Sequence, residues 1–177
     1  MITIVPYDSS WPARFEAEGE ALRAALGARA LRIEHVGSTS VPGLAAKPVI
    51  DIQISVASLE PTAEYSALLA ALGYSHVVLG EFDRVYPFFQ KPATWPSTHH
   101  VHLCLAGGEQ ERRHLAFRDY LRGHPEVAEE YVHLKRRLAA VHDNAGDSRE
   151  RYSLAKTEFV ESVLGRALRS KSSSTPA

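Results

Sequence analysis

His35-Val36-Gly37-Ser38-Thr39-Ser40, followed shortly by Val49-Ile50-Asp51-Ile52-Gln53-Ile54-Ser55-Val56, is the stretch on which the reading of this chain turns. Leu31 to Val36 reads as a short strand running straight into Gly37-Ser38. A glycine lets the backbone turn tightly and approach a ligand closely, while hydroxyls and freed amides face outward. Gly37, Ser38, Thr39 and Ser40 are therefore candidate phosphate contacts, although a plain Gly-Ser turn is the better account of the pair taken alone. If Val41 to Ala46 forms a short helix, its N-terminal amides add partial positive charge at the same place. The second run alternates with period two, setting Ile50, Ile52, Ile54 and Val56 on one face and Asp51, Gln53 and Ser55 on the other. A strand of that pattern packs on one side and opens to water or ligand on the other. Asp51 is then placed to reach a divalent metal bound to the same phosphates, with a structural aspartate as the alternative.

Working outward, Ser10-Trp11-Pro12 reads as a helix entrance, with Phe15, Leu22 and Leu26 near helical spacing. Pro61 opens a second helix striped by Tyr65, Leu68, Leu69 and Leu72, and Gly73 supplies its C-terminal cap. Tyr74 to Leu79 and Arg84 to Gln90 flank Glu81-Phe82-Asp83 as a hairpin whose second arm, carrying Pro87, is expected at an edge or bulged. His100 to Leu105 alternates again, with His100, His102 and Cys104 on one face of a core strand. The remainder reads as helical: Glu109 to Arg122, then a helix after Pro125 striped by Val127, Tyr131, Leu134, Leu138 and Val141, then a last helix to about Leu168. Asp147-Ser148-Arg149-Glu150 resembles a capping box at its start. The expected fold class is α+β, a small mixed β-sheet with helices packed on one face and a helical C-terminal part, the ligand site lying on the open face. One domain is expected over residues 1–169, with 170–177 a polar, disordered tail.

Composition narrows the function classes. The 177 residues are 45% hydrophobic and 23% charged, ordinary globular usage. Twenty basic and 21 acidic residues give a formal charge of −1, which offers a nucleic-acid partner no bulk attraction, so none is expected. No apolar run approaches the roughly 20 residues that span a bilayer, so no membrane partner is expected. A single cysteine, Cys104, cannot form an intramolecular disulfide and no leader-like segment opens the chain, which points to the cytoplasm. Oligomeric state is not legible.

Nine histidines are the compositional oddity. His100 and His102, two apart on a strand, share a side, and with Asp51 from a neighbouring strand they form a candidate two-His, one-carboxylate metal site. Contact with a phosphate or carboxylate, and hydrogen bonding within the fold, are the other readings of the pair, and His35 is placed to orient the glycine turn. Arg149, Tyr152 and Lys156 fall near one helical stripe that would clamp phosphates. Lys47, between turn and strand, and Arg84 would add positive charge.

The run from Ile33 through Gly37-Ser38-Thr39-Ser40-Val41-Pro42-Gly43-Leu44 and Lys47-Pro48-Val49-Ile50-Asp51-Ile52 resembles the signature of the GrpB family. Val5-Pro6-Tyr7-Asp8 with Trp11-Pro12 and Phe15, His99 to Leu103, Tyr131 with Lys135, and Tyr152 with Lys156 extend the resemblance over nearly the whole chain. It implies placement in the nucleotidyltransferase superfamily, whose pattern is a Gly-Ser turn followed by a strand with two alternating carboxylates, and likeness to the domain fused behind dephospho-coenzyme A kinase in some bacteria. It also implies a nucleotide or other phosphorylated small molecule as ligand and nucleotidyl transfer to a small acceptor as the reaction. Asp51 and His102 would be its catalytic residues, Asp51, His100 and His102 its metal ligands, and Gly37, Ser38, Thr39, Ser40, Lys47, Tyr152 and Lys156 its phosphate contacts. The implied cofactor is a divalent metal, magnesium or manganese, with a transition metal as the alternative. Gln53 stands where the pattern has its second carboxylate, and a neutral amide gives a cation an oxygen but no charge. A non-catalytic ligand-binding or partner module is therefore the competing expectation. A histidine-based metallohydrolase is a third.

Overall fold

The computed structural model describes residues 2–142 and 151–172. Helix α1 (Trp11–Leu26) starts at Trp11 with Pro12 in its first turn, where a missing N–H costs nothing. Strand β1 (Arg32–Val36) leads into the glycine turn, and β2 (Ile50–Val56) returns antiparallel beside it, with His35 opposite Ile52 and Val36 opposite Asp51. After α2 (Thr62–Ala70) come β3 (Ser75–Val77), β4 (Phe88–Lys91) and β5 (His99–Leu105). The sheet order is β1-β2-β5-β4-β3, with β2 and β5 parallel at its centre and the other neighbours antiparallel. Helices α3 (Glu109–Gly123), α4 (Pro125–Val141) and α5 (Thr157–Ser172) follow.

The apolar face of β2 behaves as its alternation requires. Ile50, Ile52, Ile54 and Val56 are fully buried with Val101 and Leu103 of β5 and Phe89 of β4, against Trp11, Leu22 and Leu26 of α1 and Tyr65 and Leu69 of α2. The other face departs from expectation. Rather than lying open, its upper half is roofed by α3, so that Gln53 and Ser55 have no exposed surface. Glu111 of α3 accepts from the Ser55 hydroxyl at 2.5 Å, and His114 bonds Gln53. Helices therefore cover both faces of the sheet, correcting the one-sided arrangement. Roofing is feasible because Ser55 and the Gln53 oxygen find partners on α3, which offsets much of the cost of their burial.

Three further expectations are adjusted. The hairpin exists, pairing His76 with Phe89, but its arms are joined through a 3₁₀ turn at Gly80–Arg84, and β3 rather than β4 is the sheet edge. Pro87 sits just before β4, where its carbonyl still accepts from the Leu103 amide at 3.0 Å, so the missing N–H is no obstacle to an interior strand. Val41 to Ala46 is not a helix; a single 3₁₀ turn forms one step earlier, at Ser38–Ser40. The last helical stretch is broken, with residues 151–154 helical and α5 beginning after a turn at 155–156. On α4, Val127 and Tyr131 are buried as expected, but Val141 is exposed and Lys135 is buried. Asp147 to Glu150, including Arg149, lies outside the described residues, as do 173–177. Cys104 is buried and free. Among the described residues no helix is long and apolar enough to cross a membrane.

The C-terminal helices build a second apolar layer that positions the turn. Val41 and Leu44 pack with Leu121, Val127, Tyr131 and Val163, and Val5 pairs with Ala46 through two backbone hydrogen bonds. The segment between turn and β2 is thereby pinned from both sides.

Candidate functional site

Gly37 ends β1 with φ 69° and ψ −173°, a conformation open to glycine and strained for any residue with a Cβ. Space enforces the same choice, since a Cβ there would lie 2.5 Å from Asp51 Oδ2 and 2.9 Å from Asp51 Cβ. The turn and the aspartate are thus in direct contact. Ser40 Oγ donates to the Gly37 carbonyl at 2.6 Å and Thr39 Oγ1 to the Val49 carbonyl at 3.2 Å, with His35 Nε2 3.0 Å from Thr39 Oγ1. Thr39 and Ser40 are buried, so their hydroxyls shape the turn from within, while Ser38 is half-buried and pairs with the Tyr131 hydroxyl. Two arginines that sequence reasoning passed over clamp the turn from α3: Arg122 donates through Nε and Nη2 to the Ser40 carbonyl, and Arg118 donates to the His35 carbonyl and pairs with Glu34. His35 stacks on Phe15 at 4.8 Å, and burial pushes its pKa down to about 4 despite the nearby Asp51.

Asp51 keeps 28% of its side-chain surface exposed. The β2–β5 register puts it opposite His100, with His102 two residues on, and its Oδ1 lies 3.1 Å from His100 Nδ1 and 3.5 Å from His102 Nε2. Ligand atoms of all three lie within 4.8 Å of one another. Burial opposes ionisation of Asp51, but the two imidazoles outweigh it and hold the carboxyl well below the ordinary carboxylate range. His102 is the most enclosed of the three, and burial lowers its pKa against the pull of Asp51.

Aromatic and amide groups wall this cluster. The Tyr86 ring stacks on His102 at 4.9 Å and 15°, and Phe88 touches both His100 and His102 at 5.0 Å between centroids. The Tyr86 hydroxyl is 2.9 Å from His114 Nε2, and His114 Nδ1 is 2.7 Å from Gln53 Oε1. Burial pushes the His114 pKa down to about 3, and the tyrosine holds its proton because burial raises its own pKa. Because Gln53 Oε1 can only accept, His114 Nδ1–H donates to it, and the Tyr86 hydroxyl, which also lies 3.1 Å from Nδ1, donates to Nε2. Gln53 Nε2 and His102 Nδ1, on residues directly opposite in register, are both buried with no partner among the described residues.

Across from the cluster, amino groups gather on tyrosine rings. Lys47 Nζ lies 4.0 Å from the centre of the Tyr152 ring, Lys156 Nζ 4.5 Å from the same ring, and Lys135 Nζ 4.8 Å from the Tyr131 ring. Lys135 is 2% exposed and donates to the Ala45 carbonyl. Burial lowers its pKa to about 7 and that of Lys156 to about 8, the latter against the attraction of Asp51. Tyr152 is 1% exposed, and burial pushes it up to about 12. Arg84, by contrast, is exposed on the 3₁₀ turn between β3 and β4.

The fold thus gathers Gly37, Asp51, His100 and His102 into one cluster, with Lys47 and Lys156 on the Tyr152 ring as a second group, of which Lys156 feels the charge of Asp51. Sequence reasoning had not assigned a role to Tyr86, His114, Arg118 or Arg122. Their partners lie 28 to 84 positions away in the chain, and no short-range pattern reports such a pairing.

The family whose model matches, described as GrpB protein, covers residues 1–166. The chain is 40% identical over 171 residues to UPF0157 protein YqkA of Bacillus subtilis, covering 96% of this chain and 48% of that protein, so it spans about half that relative's length. It is 34% identical over 158 residues to a protein of Mycolicibacterium paratuberculosis named Dephospho-CoA kinase, of which it covers 39%. The crystal structure of conserved protein GrpB from Enterococcus faecalis superposes with a TM-score of 0.82 at 36% identity, covering 96% of this chain and 99% of that one.

Proposed function

This chain belongs to the GrpB family, and from that premise we propose that it binds a nucleotide or another phosphorylated small molecule at the face where the Gly37 turn meets Asp51, His100 and His102. The observation that carries the reading is the direct contact of turn and carboxylate, a carboxylate that is ionised, part-exposed and flanked by two imidazoles. The donor set fits a divalent cation. Asp51, His100 and His102 would hold it, and two nitrogen donors favour manganese or a later transition metal over magnesium. Such a cation neutralises phosphate charge when bound. The chain's own groups do the rest: Ser38 and the freed amides of the turn orient the phosphate, Lys47 and Lys156 supply positive charge, and Phe88 and Tyr86 exclude water from the histidines.

In this reading the chain is nucleotidyltransferase-like, and transfer of a nucleotidyl group to a small acceptor is the reaction the arrangement would serve. The name carried by the M. paratuberculosis relative fits a phosphorylated ligand. Gln53 favours a second reading, a ligand-binding or partner module without transfer chemistry. Its amide is buried beneath α3 and its oxygen is taken by His114, so no second carboxylate stands beside Asp51 on β2. Calorimetry with AMP and ATP, with and without manganese, tests the site: manganese-enhanced binding is expected, and Asp51→Asn should abolish the enhancement while leaving the melting curve cooperative. Absence of nucleotide binding under all these conditions would reject the proposal. Pyrophosphate release from ATP and a panel of small hydroxyl acceptors separates the enzyme from the module.

A further inference from the structure

An imidazole that serves as a metal ligand ordinarily has its ring plane fixed by donating its second N–H to a carboxylate, carbonyl or water. His102 lacks that device: its Nε2 faces Asp51, while Nδ1 is buried with no partner. Asp51 faces the ring at Nε2 from 3.5 Å, but at Nδ1 no hydrogen bond among the described residues resists rotation about the Cβ–Cγ bond. The faces of the ring are held instead. Tyr86 lies nearly parallel to it at 4.9 Å, and Phe88 is tilted against it at 5.0 Å. Phe88 is fixed by its place in β4, directly opposite His102 in the register. Tyr86 precedes that strand, beyond the last ladder pair, and is held by its hydroxyl. That hydroxyl is bonded to His114 of α3, whose other nitrogen is bonded to Gln53 beneath the same helix. A group on a connecting segment has thereby been tied to two rigid elements.

We propose that Tyr86 and His114 are positioning residues for His102: the Tyr86 ring clamps the imidazole plane in place of the missing hydrogen-bond acceptor, and His114, anchored on Gln53, holds the Tyr86 ring in register. The inference rests on the reading of Asp51, His100 and His102 as a cation site. It adds that the site's geometry is set by an aromatic clamp joining the β3–β4 connection to α3. It also gives the unusual polar chain beneath α3 a purpose. With Gln53 Oε1 accepting from His114 Nδ1–H, the Tyr86 hydroxyl donates to Nε2, and the chain ties the ring it holds to β2 through α3. An apolar pair at these positions would fill the same space but leave the tyrosine free to slide.

Cobalt(II) is a suitable probe, because its visible absorption reports ligand geometry apart from the amount bound. The full chain is titrated with Co²⁺, and the variants are Tyr86→Phe, Tyr86→Ala and His114→Phe, with circular dichroism and thermal melts to confirm folding. Tyr86→Ala should weaken Co²⁺ binding about ten- to a hundredfold and shift the absorption bands at saturation. Tyr86→Phe and His114→Phe each keep the ring over His102 but break the same anchor, so both should lose less than Tyr86→Ala, about three- to tenfold, and broaden the bands. Unchanged bands and affinity in folded Tyr86→Ala and His114→Phe would overturn the clamp while leaving the cation site standing. Equal losses for Tyr86→Phe and Tyr86→Ala would also overturn it, since the ring would then count for nothing. Failure of the unaltered chain to bind Co²⁺, Mn²⁺ or Zn²⁺ would overturn the underlying reading, and the clamp with it.

Discussion

At the scale of single residues, Gly37 and Asp51 decide one another. The glycine's positive φ and the 2.5 Å approach that a Cβ would make to the carboxylate oxygen leave no room for a side chain. Gly37→Ala should cost about 1–3 kcal/mol from backbone strain alone, with the displaced carboxylate adding to it. Urea unfolding checks the first part, and loss of manganese binding beyond the loss of stability checks the second. The contact was half legible in sequence: the Gly-Ser turn and the acidic strand position could each be read, but their touching depends on the β1–β2 register, which pairs Val36 with Asp51.

At the scale of elements, α4 carries the most unusual group. Lys135 lies four residues after Tyr131 on the buried side of the helix, and burial holds its amine near pKa 7 when folded against 10.5 for the ordinary group. Below about pH 7 the amine is charged in both states and the folded chain bears the full desolvation cost. Between there and about 10.5 the unfolded chain binds the extra proton, so stability rises with pH. Lys135→Met should flatten that rise. The variant should be at least as stable as its parent at pH 7, and less stable by about 1–2 kcal/mol near pH 10, where the neutral amine still donates to the Ala45 carbonyl. Denaturant titrations at the two pH values measure both. Sequence pattern placed the helix and most of its stripe correctly, with Val127, Tyr131, Leu134 and Leu138 facing the core, but it left Lys135 out of the buried face because a lysine is counted as polar until its acceptor is seen.

At the scale of the molecule, buried neutral histidines govern the acid limb of stability. Burial depresses His35 to about 4 and His114 to about 3 in the folded chain, against 6.5 for the free group. As pH falls below about 6.5 the unfolded chain takes up protons that the folded one refuses, so stability is full above that value and declines through the folded pKa values. His114→Gln should reduce the slope of unfolding free energy against pH between about 4.5 and 6 by as much as one proton's worth, about 1.4 kcal/mol per pH unit. An unchanged slope would place the titrating groups elsewhere. The roofing of β2 by α3 is the same fact in structural terms, since the helix that supplies His114 is the one that closes half of a face expected to be open.

Local chemistry determined the elements of this protein. Alternation fixed β2 and β5 and the face each residue occupies; proline and glycine marked the start of α1 and α4 and the end of α2; and the glycine turn, Asp51, His100 and His102 stood out because their spacing puts chemistry-bearing groups on the same face. The tertiary structure alone decided what stands opposite those groups. Whether a strand's polar face meets solvent or a helix, whether a lysine meets water or a carbonyl, and which ring lies over an imidazole depend on contacts between segments far apart in the chain. Sequence periodicity records only the direction in which a side chain leaves its own backbone, and carries no information about what it meets there.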